Sequence, residues 1–213
     1  MTDSSEPRDL TQAMRLARAT PWKAAIEIRR LLVMPFVRAY FAAHGIAWGS
    51  GWRIYGRPII QRHRGSRIII GGGFELRNWV ASSPLGVNHR CMLTTWSAGA
   101  VIDIGRGVGI TGGAICANES IRIGDRVRIG ANCTIVDTDF HPLEASARRT
   151  SPAGGASSPV TIGDEAFIGM QVMILKGSRV GAGSVIGAGS VVAGEIPPGV
   201  IAAGNPARAL REL

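Results

Sequence analysis

The run Asp137-Thr138-Asp139-Phe140-His141-Pro142 sets one imidazole directly after two carboxylates. Imidazole titrates near neutral pH, so it can take a proton from a hydroxyl and give it back within one reaction cycle. A nearby carboxylate, Asp137 or Asp139, would fix its tautomer, and Glu144 is a more distant candidate. The same residues also read as a plain turn, because Asp at a corner commonly binds its own backbone. His44, at the end of an apolar stretch, and His63, in the basic run QRHRGSR, read as surface residues. None of the four histidines is paired with another at short spacing, which argues against a cluster of three imidazoles on zinc. Cys91, Cys116 and Cys133 are odd in number and lie among aliphatic residues, the pattern of buried thiols in a reducing compartment.

The elements that must hold these groups announce themselves by period. From Ile162 the chain divides into IGDEAF, IGMQVM, ILKGSR, VGAGSV, IGAGSV and VAGEIP. Each block opens with Ile or Val, and a small or apolar residue recurs at the fifth place. IGRGVG from Ile104 and ITGGAI from Ile110 keep the frame; after one extra residue near Arg122 it resumes as IGDRVR, IGANCT and IVDTDF. Six matches neither the helical period nor simple alternation, but it suits short strands broken by regular corners. Three blocks then make one coil of a triangular prism, with Ile or Val inward and Gly at the corners. The composition agrees: 29 glycines in 213 residues and only 6% aromatics describe tight turns around an aliphatic core. The frame fails between Phe140 and Ile162, where HPLEASARRTSPAGGASSPVT is too polar and too rich in Pro and Gly for a strand. A loop ejected from a rigid solenoid is where function tends to sit. A weaker break runs through 76–100, where SSPLGVNHR suggests a second excursion.

The motifs DTDFHP (137–142), VIGAGSVV (185–192), IPPGV (196–200) and AAGNPARALREL (202–213) resemble the hexapeptide-repeat acyltransferases. Within that family the likeness is to the maltose and galactoside acetyltransferase type and to O-acetyltransferases that decorate polysaccharide precursors. The resemblance implies an all-β fold, a left-handed parallel β-helix with an N-terminal helical segment. It implies acetyl-CoA as co-substrate, no metal, and His141 as the base that lets a sugar hydroxyl attack the thioester directly. Met170 and Ala188 then lie along the coenzyme arm, Met170 standing where the family often has Ser. Arg208 and Arg211 match its C-terminal basic pair, suited to phosphate, while Gly194 replaces a common basic residue. Asn88 and His89 become candidates to reach the acceptor. A homotrimer is implied, with sites between neighbouring prisms. Alternatives in the same frame are N-acylation of an amino sugar and a non-catalytic β-helix assembly subunit.

The charge is uneven. Lys and Arg outnumber Asp and Glu 24 to 15, and residues 1–70 carry 12 basic against 4 acidic side chains. Such a bias points to an anionic surface or ligand met by that third of the chain. Nucleic acid fits poorly, because the aromatics of a stacking platform are missing. Thr20-Pro21 reads as a helix start, apolar residues dominate 22–43, and Pro35 should kink or split the helix. The expected organisation is a tail and helical segment over 1–45, followed by the β-helix over 46–213 with a protruding loop at 141–161. The helical segment 21–43 can cap the open prism. It can also meet an anionic membrane, and capping is the favoured reading. The polar start MTDSSEPRDL has no apolar signal region, and no stretch offers the ~18 uncharged apolar residues of a membrane span. The cytoplasm, including the inner face of its membrane, is the expected location.

Overall fold

The computed structural model describes residues 18–213; residues 1–17 of the expected N-terminal tail lie outside the described residues. The chain winds as a left-handed parallel β-helix, three strands to a coil. The first coil is β1 (Arg53–Tyr55), β2 (Ile59–Arg62) and β3 (Arg67–Ile70); the second is β4 (Glu75–Arg77), β5 (Met92–Thr95) and β6 (Val101–Ile104). The third holds β7 (Gly109–Thr111), β8 (Ala114–Ala117) and β9 (Ser120–Ile123), and the fourth β10 (Arg128–Ile129), β11 (Thr134–Val136) and β12 (Val160–Ile162). Then come β13 (Phe167–Ile168), β14 (Met173–Ile174) and β15 (Arg179–Val180), followed by β16 (Val185–Ile186), β17 (Val191–Val192) and β18 (Glu195–Ile196). Every third strand pairs in parallel, which generates three sheets; β19 (Val200–Gly204) and an antiparallel β20 (Ala207–Glu212) finish the first of them.

The leading residue of each block stacks on its counterpart one coil away. In the first sheet the inward column is Ile54, Leu76, Ile110, Ile129, Ile168, Ile186 and Ala202. Ile60, Leu93, Ile115, Ile135, Ile174 and Val192 form the second column. All of these are buried, so the six-residue period is the spacing between columns. Late coils repeat at eighteen residues, as in Ile162 opposite Val180, whereas Ile104 faces Ile123 at nineteen, which accounts for the slip near Arg122. The fifth-place residues Ser178, Ser184 and Ser190 are buried too, and each hydroxyl is satisfied by a backbone group.

One helix, α1 (Pro21–Ala43), covers the first coil. Thr20 is its N-cap and Pro21 opens its first turn. Phe41 and Val37 reach the core, where Phe41 and Trp48 pack edge-on and Trp52 lies between Phe41 and Phe74. The aromatics scarce elsewhere are concentrated at this end, where the prism needs a broad lid. The split expected at Pro35 does not occur; the helix runs through it. The missing N–H leaves the Leu31 carbonyl without its helical partner, and Leu31 is on the exposed face, where water can take the carbonyl. Among the described residues no helix is long and apolar enough to cross a membrane.

Candidate active site

The prism has three edges, and the candidate groups divide between two of them. The edge between the second and third sheets carries His141. After β11 the chain leaves the coil, makes a six-residue helix α2 (Ala145–Thr150), and returns through a bridge between Thr138 and Ser157 to enter β12 at Val160. Phe140 sits at φ +62°, left-handed backbone that costs a non-glycine residue about 1–2 kcal/mol, and its N–H is held by Thr138 Oγ1. This turn swings His141 outward. The returning strand lies on it so closely that a Cβ at Gly155 would come within 2.6 Å of the His141 nitrogen, so the position requires glycine.

The His141 ring is oriented by backbone. Its Nδ1 lies 2.6 Å from the Pro152 carbonyl oxygen. A carbonyl only accepts, so the neutral ring carries its proton on Nδ1 and leaves the Nε2 lone pair available as a base. Neither expected carboxylate is the partner of Nδ1; each meets other groups. Asp137 is fully buried and accepts the N–H groups of Asn118, Glu119 and Ser120 on its two oxygens, tying the fourth coil to the third. Asp139 Oδ2 lies 3.3 Å from Lys176 Nζ, an ion pair without hydrogen-bond alignment. Glu144 is exposed at the start of α2.

Around His141 the edge offers groups that the sequence did not single out. Trp96 is 63% exposed and meets Phe140 edge-on at 6.4 Å between centroids. Asn118 Nδ2 donates to Ser157 Oγ at 2.8 Å, bracing the root of the loop. The one available signal was an exposed-type aromatic, Trp96, inside an aliphatic repeat; a backbone acceptor such as Pro152 leaves no side-chain trace.

The edge between the first and second sheets carries Met170 and Ala188. They follow Gly169 and Gly187 at successive corners, with Ala131 one coil below. Cβ atoms on Gly130 and Gly169 would lie 2.6 Å from the Met170 and Ala188 nitrogens, so bare backbone is required for the corners to stack. Neither the Met170 nor the Ala188 N–H has an acceptor among the described residues. The edge between the third and first sheets differs: Asp125 and Asp164 accept the amides of Arg106 and Asp125. On that edge carboxylates cap two corner amides of the earlier coils, whereas the corners at Ala131, Met170 and Ala188 present open amides one above the other. Asn88, whose N–H donates to Asn132 Oδ1, and His89 lie on the open-amide edge, away from His141 of the same chain. Arg208 and Arg211 are exposed on β20, beyond the last coil, with guanidinium contacts to neighbouring backbone carbonyls only.

His44 stacks on Tyr40, and His63 Nδ1 accepts the Gly65 N–H, so both are occupied structurally. Burial pushes the Cys91 thiol up to about 12 and the Cys133 thiol up to about 11. Cys116, half-buried, is also held at about 11 by burial and by the Asp137 charge. All three are thiols and not nucleophiles at neutral pH. Among the described residues no three His, Cys, Asp or Glu side chains converge as a metal site.

Residues 159–194 match the bacterial transferase hexapeptide model, and residues 120–136 match the hexapeptide repeat of succinyl-transferase. Both matched segments lie in the coils of the β-helix, residues 120–136 in the third and fourth and residues 159–194 in the fourth to sixth. The galactoside O-acetyltransferase of Escherichia coli is 40% identical over 99 residues, 46% of this chain and 47% of that one. The chain thus spans about half the length of the curated relatives it matches. A galactoside acetyltransferase solved with coenzyme A superposes over 99% of this chain and 74% of its own, at 26% identity and TM-score 0.50. An N-acyltransferase from Bacillus cereus, solved with dTDP and coenzyme A, shares the fold at TM-score 0.58 and 15% identity, over 77% of this chain and 83% of its own.

Proposed function

We propose that the protein is an acetyl-CoA-dependent O-acetyltransferase acting on a sugar hydroxyl of a polysaccharide precursor. The observation that carries the reading is the His141 ring, fixed through Nδ1 to a carbonyl and left with a free Nε2 on an exposed edge. The likeness to galactoside acetyltransferases supports the acyl donor and the sugar acceptor. Trp96 and Phe140 supply an apolar wall beside the base, with Asn118, Ser157 and Lys176 as scattered polar groups, a lining suited to a polyhydroxylated acceptor.

In this mechanism the acceptor hydroxyl gives its proton to His141 Nε2 as its oxygen bonds to the thioester carbonyl carbon. The tetrahedral oxyanion faces a main-chain N–H, and the open amide of Met170 is the candidate donor. Collapse breaks the carbon–sulfur bond, and the departing coenzyme thiolate takes the proton back from His141. No acyl-enzyme forms, in keeping with cysteines whose thiols are held protonated. Ala188 extends the amide ladder along the pantetheine arm, and Arg208 and Arg211 meet its phosphates. Asn88 and His89 contact the acceptor from the neighbouring chain's edge.

His141 and the open amides occupy different edges of one prism, so one chain does not assemble the site. A homotrimer does, because three-fold rotation sets the His141 edge of one copy against the amide edge of the next. The test is free-thiol release from acetyl-CoA with a panel of nucleotide sugars, lipid-linked sugars, free oligosaccharides and amino sugars. Acceptor-dependent release on hydroxyl acceptors is expected. Release on amines alone would replace O- with N-acylation, and coenzyme binding without release on any acceptor would favour an assembly subunit.

A further inference from the structure

Helix α1 is apolar on two faces. Its inward face, with Val37 and Phe41, closes the core. Its outward face presents Ile28, Leu31, Leu32 and Phe36, each 58–77% exposed, at the i, i+3, i+4, i+8 spacing of a single stripe. Arg29 and Arg38 border the stripe on its two sides. The helix's only acid, Glu27, is turned away to Tyr55, Arg30 and Arg53. Beside the stripe, a groove of about 640 Å³ opens between α1 and the first two coils, lined by Val33, Phe36, Tyr40 and Trp79 together with Arg29 and Arg57. Arg29 stacks on Trp79 at 4.3 Å and Arg57 on Tyr40 at 4.9 Å. Neither guanidinium has a carboxylate within 4 Å among the described residues.

We propose that this end of the molecule docks on an anionic lipid bilayer. The stripe enters the boundary between headgroups and acyl chains, one acyl chain lies in the groove, and Arg29 and Arg57 hold lipid phosphates. Charge decides the occupant. A second copy seated here would bring its own arginines against these with no carboxylate to answer them, whereas an anionic surface meets all of them. The geometry is that of an interfacial helix, apolar outward with basic borders, here attached by its other face to a rigid body. The proposal stands apart from acyl transfer, since turnover on a water-soluble acceptor is measured without lipid.

The full-length protein is floated at low salt with vesicles of phosphatidylcholine, with and without phosphatidylglycerol. Flotation is expected with the anionic vesicles alone and should fall as salt is raised. Arg29→Gln combined with Arg57→Gln should weaken partition roughly thirty-fold, at about 1 kcal/mol per basic side chain near an anionic surface. Leu32→Asn with Phe36→Asn should abolish it at unchanged Tm. Should those variants unfold, the wild type still decides: phosphatidylglycerol with brominated acyl chains should quench its tryptophan fluorescence, and Trp79→Phe should remove part of that quenching. Absence of flotation at low salt overturns the proposal. So does flotation that the four substitutions leave unchanged, or stripe variants that only lower the oligomer mass.

Discussion

The role proposed for His141 rests on a bond that no side-chain motif encodes. With Nδ1 held by the Pro152 carbonyl, His141→Ala removes the proposed base and leaves the amide ladder intact, so turnover should fall by about two to four orders of magnitude at nearly constant coenzyme affinity. Single-turnover rates beside a coenzyme titration separate the two effects. Gly155→Ala tests positioning: its Cβ would press on the backbone of Phe140 and His141, so kcat should drop by up to about a hundredfold while Tm moves little. An unchanged kcat would show that the loop's exact seat does not matter. DTDFHP drew attention to the histidine and its two carboxylates, but not to the carbonyl that its ring meets. Asp137 reads as an orienter until the corner amides of Asn118, Glu119 and Ser120 are seen converging on it from nineteen, eighteen and seventeen residues away. Trp96 escaped notice because its neighbour Phe140 lies on another coil.

The strands were legible because their spacing is a packing rule: one inward Ile or Val per sheet crossing, stacked coil on coil. Ile135→Ala, in the middle of the second column, should cost about 2–5 kcal/mol by leaving a cavity that the rigid neighbours cannot fill, as measured by denaturant unfolding. Helix α1 was harder, since its identity as a lid depends on Phe41, Trp48 and Trp52 meeting across different elements, and Pro35 suggested a break that solvent exposure makes tolerable. Its polar anchor is Glu27. Burial pushes this carboxyl up, but hydrogen bonds from Tyr55 and Arg30 and the charges of Arg30 and Arg53 outweigh it and hold the group below its ordinary value. A lowered folded pKa means that the anchor stabilises the protein above the unfolded value near 4.5 and fades as pH falls through the folded one. The Tm difference between wild type and Glu27→Gln should therefore be constant near neutrality and shrink below about pH 4.5. A difference that grows in acid would contradict the anchor.

At the scale of the molecule, the proposed chemistry turns on the division of groups between two edges. His141, Trp96 and Lys176 lie where the second sheet meets the third; Met170, Ala188, Asn88 and His89 lie where the first meets the second. The sequence could place Lys176, Met170 and Ala188 in their blocks but not tell which edge a block would face, because that depends on counting corners through the slip near Arg122 and the loop after Phe140. Light scattering should return three times 22.4 kDa. The most direct measurement co-expresses two inactive chains, one carrying His141→Ala and one carrying Ala188→Trp to fill the amide edge. If sites are shared between neighbours, some mixed trimers contain one interface with an intact histidine and an open amide edge, and acetyl transfer should reappear. Mixtures that stay as inactive as both parents, with the protein eluting as a monomer, would contradict a site built from two chains.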